Sequence, residues 1–279
     1  MPSSADVPPV LRDAHDTQQL GRYFAGLWGR RSYAWYVAVS ELRSRQITSR
    51  LGNVWHLLNP ILQVLVYWVI FGLLVDGVAR GVENYVLFLA IGVFVYLDFQ
   101  RAAIAGANSI QNNKGLIRSL HFPRAIVPIT AVITESLATV PSVLVVYATA
   151  VLTGAPLRWT WLLLPLVFVF QFFLNVGSAL IAARTSTHFS DFNQILPFIF
   201  RLGLYVSGVL FAVESFASES QLRLFEINPA YCFIEIARWS IMGGELKAAW
   251  LVSVTLWLGA LPLVALLWFR KGEELYGRD

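Results

Sequence analysis

The sequence has few charged residues for its length. Charged residues make up 14% and hydrophobic residues 57% of its 279 residues, whereas an ordinary soluble domain has about 25% charged residues. A soluble globule of this size must cover its surface with polar groups, and this chain has too few of them. The composition therefore excludes a typical soluble enzyme and predicts a polytopic membrane protein.

The sequence also lacks the residues of a catalytic or metal site. Cys232 is the only cysteine, so no internal disulfide can form. The four histidines lie in four different regions, and none of the three lysines follows a glycine. There is accordingly no P-loop for ATP and no zinc motif. No acidic cluster of the kind a membrane glycosyltransferase needs stands out. We predict no metal, no cofactor on this chain and no enzymatic activity of its own.

The amino-terminal region divides into a tail and a basic aromatic segment. Residues 1–20 have no apolar run, so we expect a flexible cytoplasmic tail over 1–28 rather than a signal peptide. In the segment 29–50, Trp35, Val39 and Leu42 form an apolar stripe at helical spacing. Glu41 and Arg45 lie on another side of this helix, four residues apart and in the order that favours an ion pair. This pattern favours an amphipathic helix in the membrane interface over a basic segment that only sets topology. Its arginines, which include Arg43, Arg45 and Arg50, are candidates for attracting substrate phosphates at the entrance.

Long uncharged windows predict the membrane spans. The windows 51–75, 159–183 and 248–269 carry no charge, and each is long enough to cross about 30 Å of hydrocarbon as a helix. A fourth window, 136–157, extends back past Glu135, and two further spans contain charged residues. The sequence predicts an all-α transmembrane domain over 51–279 with six spans, near 54–75, 84–110, 125–153, 159–183, 192–213 and 248–269.

Basic residues are distributed unequally between the loops. With six spans, 15 Lys and Arg residues fall on one side and five on the other. The side richer in Lys and Arg is the cytoplasmic side, so both termini are predicted to be cytoplasmic. The same bias explains the net charge of +4, and we predict no nucleic-acid partner.

Two segments outside the spans have helical character. The cytoplasmic segment 111–124 carries a small apolar face of Leu116, Ile117 and Leu120, and Pro123 ends any helix before it. This segment is either a docking helix for a soluble partner or a solvated loop. The external segment 230–242 is apolar, too short to span, and followed by Gly243 and Gly244. It is either a re-entrant helix or an ordinary loop helix, and Glu235 and Arg238 could pair within it.

Four charged residues lie at membrane depth, where charge is costly and usually faces a partner or an aqueous path. They are Asp98, Arg101, Glu135 and Arg201. One interpretation is contact with a phosphate-bearing lipid headgroup, which suits arginine. The other is ion pairing between helices, Asp98 with Arg101 or Glu135 with Arg201. Pairing is favoured for Asp98 and Arg101, and both interpretations remain open for Arg201.

Aromatic residues make up 14% of the chain. Some of those on the fourth and fifth spans could line a path for a sugar polymer, since aromatic faces suit the apolar faces of sugar rings. Others could face lipid or neighbouring helices. The pathway candidates are Phe168, Phe172, Phe173, Phe198, Arg201, Tyr205 and Phe211.

Three ordered segments resemble type-2 ABC transporter membrane subunits. The first has Gly52, Trp55 and the run Leu58, Asn59, Pro60 at the start of the first span. The second, 108–129, resembles the family's coupling helix, with Phe122, Pro123 and Arg124. The third is Asn228 and Pro229 before the external apolar helix. The pattern is most similar to exporters of lipid-linked polysaccharide of the O-antigen, teichoic acid or galactan type.

The resemblance implies an ABC-2 fold with an interfacial helix, a coupling helix and external re-entrant helices. It also implies a homodimer in the bacterial plasma membrane with two copies of a separate P-loop ATPase, which would carry the ATP and Mg. The residues implied in docking are Lys114, Leu116, Ile117, Arg118, Leu120, Phe122 and Arg124. Alternatives are an ABC-2 exporter of a drug or lipid and an ATP-independent secondary transporter.

Overall fold

The computed structural model describes residues 21–47, 54–74, 82–119, 122–215 and 217–273. Within these ranges the chain is helical, with no strand. Its helices are α1 (21–29), α2 (Arg31–Ile47), α3 (Val54–Tyr67, continued by π-helical turns over Trp68–Leu74), α4 (Tyr85–Asn112), α5 (Lys114–Ser119), α6 (Ile126–Leu152), α7 (Leu164–His188), α8 (Phe192–Val206), α9 (Glu219–Ile227), α10 (Pro229–Met242) and α11 (Ala248–Lys271). Short 3-10 turns cover Trp159–Leu163 and Val213–Ser215.

Four of these helices are long and apolar enough to cross a membrane. They are α4, α6, α7 with the turn before it, and α11. Their bounds lie close to the predicted spans because charges and turn residues end each apolar window. Two shorter apolar helices, Ile61–Phe71 and Phe192–Val206, correspond to the predicted first and fifth spans. The protein is a multi-pass membrane protein.

Helix α4 lies at the centre of the bundle and packs most extensively against α7 and α6. Small residues bring α4 and α7 close together. A Cβ atom on Gly106 would lie 2.5 Å from the Cα of Ala179, so only glycine fits that crossing. Nearby, the Ser186 hydroxyl donates to the Ala107 carbonyl. Close backbone approach through small residues is the usual way that membrane helices associate.

Helical structure begins inside the predicted tail. Residues 21–29 are helical, and α2 follows after a one-residue turn at Arg30. Helix α2 lies within the predicted interfacial segment and packs on α6. Ala34 and Ala38 are almost fully buried, so the small side of α2 faces the bundle.

The fifth span is shorter than predicted. Helix α8 ends at Val206, not near 213, and the chain turns through Gly208 at φ +63°. The Arg238 guanidinium donates to the carbonyls of Gly208 and Val209, at 2.9 Å each. These carbonyls are therefore satisfied by a distant side chain instead of by further helix, which explains why an uncharged sequence stops being helical here.

The segment after α8 folds back on the bundle. Helix α9 leads through Asn228, whose side chain caps α10, and α10 packs against α4, α11 and α7. Gly243 ends α10 at φ +85°, a conformation that favours glycine. The predicted helix at 230–242 and its glycine stop are confirmed. We call this end of the bundle the α10 end, and the opposite end of α4, where α5 follows, the α5 end.

Candidate functional site

A polar cavity lies at the α5 end, between α2, α4 and α6. Its volume is about 850 Å³. Charged residues in its wall are Glu41 and Arg45 of α2, Arg101 of α4 and Glu135 of α6. The remaining described lining is a mixture of amides, hydroxyls and apolar groups: Tyr33, Val37, Ser40, Ser44, Leu97, Gln100, Ile104, Ala105, Asn108, Ser109, Asn112, Asn113, Leu116, Val127, Thr130 and Ala131.

Arg45 connects two walls of this cavity. One guanidinium nitrogen lies 2.7 Å from Glu135 Oε1 on α6 and the other 2.8 Å from Glu41 Oε1 on α2. Burial alone would lower the pKa of Arg45, but the two carboxylates outweigh it and raise that pKa. The spacing of Glu41 and Arg45 predicted the pair within α2. The alternative pairing of Glu135 with Arg201 is wrong, because Glu135 binds Arg45.

Asp98 is not paired with Arg101. Its carboxylate is 3% exposed and accepts hydrogen bonds from Thr139 Oγ1 and Asn175 Nδ2, each at 2.7 Å. The expected ion pair is therefore wrong: Asp98 faces α6 and α7, whereas Arg101 is directed toward the cavity. In the described part of the chain, no hydrogen bond or salt bridge to Arg101 is formed.

Helix α5 borders the cavity but is short. Lys114 and Gly115 are exposed, and Leu116 lines the cavity. Ile117 is 3% exposed and packs with Ile110, Ala125 and Phe269. Ile117 therefore holds α5 against the bundle instead of facing outward. The side chain of Arg118 and the whole of Leu120 lie outside the described residues.

The turn after α5 is hydrogen-bonded to Glu273, which follows α11, and Glu273 also binds Tyr23 of α1. The Arg124 backbone N–H donates to Glu273 Oε1 at 3.0 Å, and its guanidinium donates to the Glu273 carbonyl. The Tyr23 hydroxyl of α1 also donates to Glu273. Burial raises the pKa of the Glu273 carboxyl and that of the Tyr23 hydroxyl. Phe122 packs against the same apolar cluster as Tyr23, which also contains Ile117 and Phe269. The expected docking turn is therefore held in place by residues that are distant in sequence.

At the α10 end, Arg238 makes a fully satisfied site. It is 4% exposed and lies 2.6 Å from Glu235 Oε1, which confirms the predicted pairing within α10. Besides the carbonyls of Gly208 and Val209, its guanidinium lies 3.3 Å from the centroid of the Phe88 ring. One arginine thus joins α10, the turn after α8 and the first turn of α4.

The aromatic pathway candidates fall into two groups. Phe168 and Phe211 pack partly buried against the main core, and Phe172 packs against a smaller cluster around Ala179. Phe173, Phe198 and Tyr205 are 50%, 64% and 46% exposed.

Arg201 lies on an exposed face of α8. It follows Phe198 by three residues and precedes Tyr205 by four, and its guanidinium lies 5.6 Å from the Phe198 ring centroid. This exposed strip also includes Leu202, which is 68% exposed. An arginine among exposed apolar side chains is costly against lipid, so this face calls for a polar partner.

The described part of the structure gives no hydrogen bond or ion pair for the two other arginines predicted at the entrance. Arg43 is exposed on α2, and Arg50 lies outside the described residues. Among the described residues, no group of three His, Cys, Asp or Glu side chains could hold a metal ion.

Residues 34–242 match the family described as ABC-2 type transporter. The chain belongs to this family. The match covers well over half of the chain, and it includes most of α2, most of the cavity lining, α5 and α10. The resemblance drawn from three ordered segments is therefore confirmed.

This chain aligns over most of its length with three relatives. It is 28% identical over 235 residues to the O-antigen export system permease protein RfbA of Klebsiella pneumoniae, covering 83% of this chain and 88% of that protein. The RfbA permease of Myxococcus xanthus is 26% identical over 68% of this chain and 72% of its own. The polysialic acid transport protein KpsM of Escherichia coli is 24% identical over 84% and 91%.

The sequence did not single out the cavity as a site. A signal was nevertheless present on α4, where Arg101, Asn108 and Asn112 lie seven and four residues apart and so share one helix face. A polar stripe within an apolar span predicts a buried polar surface. It does not show which helices complete the cavity.

Proposed function

We propose that this chain is the transmembrane subunit of an ATP-driven exporter that moves a lipid-linked polysaccharide from the cytoplasmic to the outer side of a bacterial plasma membrane. The observation that carries the proposal is the alignment of most of this chain with O-antigen and polysialic acid export proteins, within the ABC-2 family. The polymer is of the O-antigen, teichoic acid or galactan type.

The proposed membrane arrangement has six spans and cytoplasmic termini. Four described helices are long enough to cross, and α3 and α8 supply the first and fifth spans as shorter apolar helices. The count of 15 against five basic residues supports this orientation. In this proposed arrangement, α5 and the cavity lie on the cytoplasmic side, and α10 is a re-entrant helix on the outer side.

The proposed energy source is a separate P-loop ATPase, present in two copies and carrying ATP and Mg. Helix α5 is its docking element, with Lys114 and Gly115 presented outward and Ile117 holding the helix in place. The Phe122–Arg124 turn supports the same surface through Glu273. Closure of the two ATPase subunits would move α5 and, with it, the part of the cavity wall that Leu116 forms.

The chain is proposed to act as a homodimer. The exposed strip of Phe198, Arg201 and Tyr205 on α8 supports this, because a second copy or a hydrated path between copies would spare Arg201 from lipid. The glycan would pass along such a path, where aromatic faces contact sugar rings without holding them tightly.

The docking surface can be tested with a substitution that leaves the chain itself intact. A Cβ atom on Gly115 meets nothing within 4 Å, so the side chain of Gly115→Trp starts in open space on the exposed side of α5. We expect the tagged wild-type chain, extracted from native membranes in a mild detergent, to carry a P-loop ATPase in equal amount. We expect Gly115→Trp to lose that ATPase while remaining folded.

The matched control is Gly259→Trp on α11, where a Cβ atom also meets nothing within 4 Å. It should retain the ATPase. Purification of the wild-type chain without any ATPase from several mild detergents would contradict the proposal and favour a secondary transporter. An ATPase partner together with normal surface glycan in a deletion strain would favour export of a drug or lipid.

A further inference from the structure

Among the residues that the structure describes, one arginine in the wall of the cavity at the α5 end forms no ion pair and no hydrogen bond. Of the four charged residues in this wall, Arg45 binds both Glu135 and Glu41. The nearby Asp98 carboxylate is occupied by Thr139 and Asn175. In the described ranges, Arg101 is left without a hydrogen bond, and Glu135 and Asp98 act on it only through their longer-range charge.

An unpaired guanidinium within a membrane helix is costly unless it meets water or an anion. Arg101 is half-buried and faces a polar cavity. Its planar group carries five N–H donors, which match the oxygens of a phosphate in a forked geometry. Gln100 and Asn112 line the same cavity, and their side-chain amides make no hydrogen bond in the described part of the chain. They can add neutral donors beside Arg101.

The remaining wall suits the other half of an amphipathic molecule. Val37, Leu97 and Ile104 give the cavity apolar patches next to its polar ones. A volume of about 850 Å³ is within the range of ligand sites, roughly 300–1,000 Å³. The lining therefore fits a phosphate with the first part of an attached hydrocarbon chain better than it fits a free ion.

We propose that this cavity binds the phosphate group of the lipid-linked substrate within a single protomer, with Arg101 as the residue that contacts the phosphate. The inference rests on the proposed function and specifies where its substrate is first recognised. Arg45 is the second cation of the site, and its ion pair with Glu135 makes it less available to the phosphate. Because Leu116 of α5 forms part of the wall, movement of the docking helix changes the shape of the site.

Binding can be measured on the full chain without any ATPase. The chain is placed in phosphatidylcholine nanodiscs and titrated with farnesyl phosphate by microscale thermophoresis, with farnesol as the uncharged comparison. We expect farnesyl phosphate to bind and farnesol not to bind. Arg101→Gln should weaken binding by roughly tenfold or more, since it removes a charge-assisted hydrogen-bond pair. Arg101→Lys should bind with intermediate affinity, because it keeps the charge and loses the fork.

A variant that is expected to bind farnesyl phosphate more tightly than wild type distinguishes a specific effect on the site from a general folding defect. Glu135→Gln frees Arg45 from one carboxylate, and we expect it to tighten farnesyl phosphate binding by up to about fivefold. Arg223→Gln, an exposed arginine of α9, is the matched control and should bind like wild type. Equal affinity of Arg101→Gln and wild type, or weaker binding by Glu135→Gln, would overturn the proposal.

Two competition arms identify the source of the phosphate. Displacement of farnesyl phosphate by an equal concentration of inorganic phosphate would overturn the lipid-linked part of the inference. Equal displacement by phosphatidylglycerol would assign the cavity to bulk phospholipid and would also overturn it. The result separates from the proposed function: loss of glycan export in a deletion strain, with export by Arg101→Gln at the wild-type rate, would remove this site and leave the exporter assignment intact.

Discussion

Two arginines inside the bundle show how differently its two ends are built. At the α10 end, Arg238 is 4% exposed, forms an ion pair with Glu235, donates to backbone carbonyls and stacks on Phe88. At the α5 end, Arg101 is half-buried beside a cavity and makes no hydrogen bond among the described residues. A satisfied arginine fixes backbone in place, whereas one that faces a cavity without a partner is available to a ligand.

Both ends of the bundle contain charged residues, but they differ in how tightly the side chains around those charges are packed. At the α10 end a Cβ atom on Gly92 would lie 2.7 Å from the Arg238 guanidinium, so there is no room for even a methyl group between α4 and Arg238. At the α5 end about 850 Å³ stays open between three helices. With the proposed function, this difference makes the α10 end the rigid part of the bundle and the α5 end the part that binds substrate and moves.

The largest expected effect is that of Arg238→Gln. The change leaves Glu235 without its cation and the carbonyls of Gly208 and Val209 without donors, so we expect the free energy of unfolding to fall by about 3–5 kcal/mol. Arg238→Lys should be almost as damaging, because one ammonium cannot reach all these groups. Titration with sodium dodecyl sulfate measures the loss, and an unchanged midpoint would show that the α10 end is not held by this residue.

A smaller loss is expected from Gly92→Ala. The added methyl group would overlap the Arg238 guanidinium and lie 3.1 Å from the Val209 carbonyl oxygen, and overpacking of this kind costs about 1–3 kcal/mol. The matched control is Gly259→Ala, which has open space around it and should gain up to about 1 kcal/mol from helix propensity. The same titration compares the two, and equal midpoints would contradict the close packing.

Arg45→Gln should lower the free energy of unfolding by less than Arg238→Gln and by more than Arg101→Gln. It leaves Glu135, whose side chain is 10% exposed, without its partner on α2. Because Arg45 itself is 35% exposed, water offsets part of the loss, and we expect about 1 kcal/mol. Hydrogen exchange over α2 should rise in this variant, whereas a rise confined to α10 would contradict the assignment of the pair.

The smallest change in stability is expected for Arg101→Gln. No hydrogen bond is lost among the described residues, so the unfolding free energy should stay within about 0.5 kcal/mol of wild type. A fall as large as that of Arg238→Gln would mean that Arg101 is structural. That result would end the distinction between the two arginines.

Local sequence patterns predicted the helices and the short-range pairs. Uncharged windows marked the spans, and spacings of four and three residues predicted the pairs of Glu41 with Arg45 and of Glu235 with Arg238, both of which form. These features depend on one helix at a time. Spacing along the chain therefore contains what is needed to predict them.

Contacts between helices could not be predicted in the same way. Glu135 pairs with Arg45 instead of Arg201, and Asp98 binds Thr139 and Asn175 instead of Arg101. Which helices are neighbours decides these partners, and a single sequence does not contain that information directly. The end of α8 was missed for a related reason, because the carbonyls that stop it are bound by an arginine 29 and 30 residues further along the chain.

The most direct test of the central claim is to follow the glycan in a strain from which this gene is deleted. Lipid-linked polymer is labelled through its sugar precursor, and its accessibility to an impermeant glycan-cleaving enzyme is measured with and without the restored gene. The account predicts that uncleaved polymer accumulates inside the deletion strain and reaches the outer surface when the wild-type chain returns. Normal surface polymer without internal accumulation in the deletion strain would contradict it.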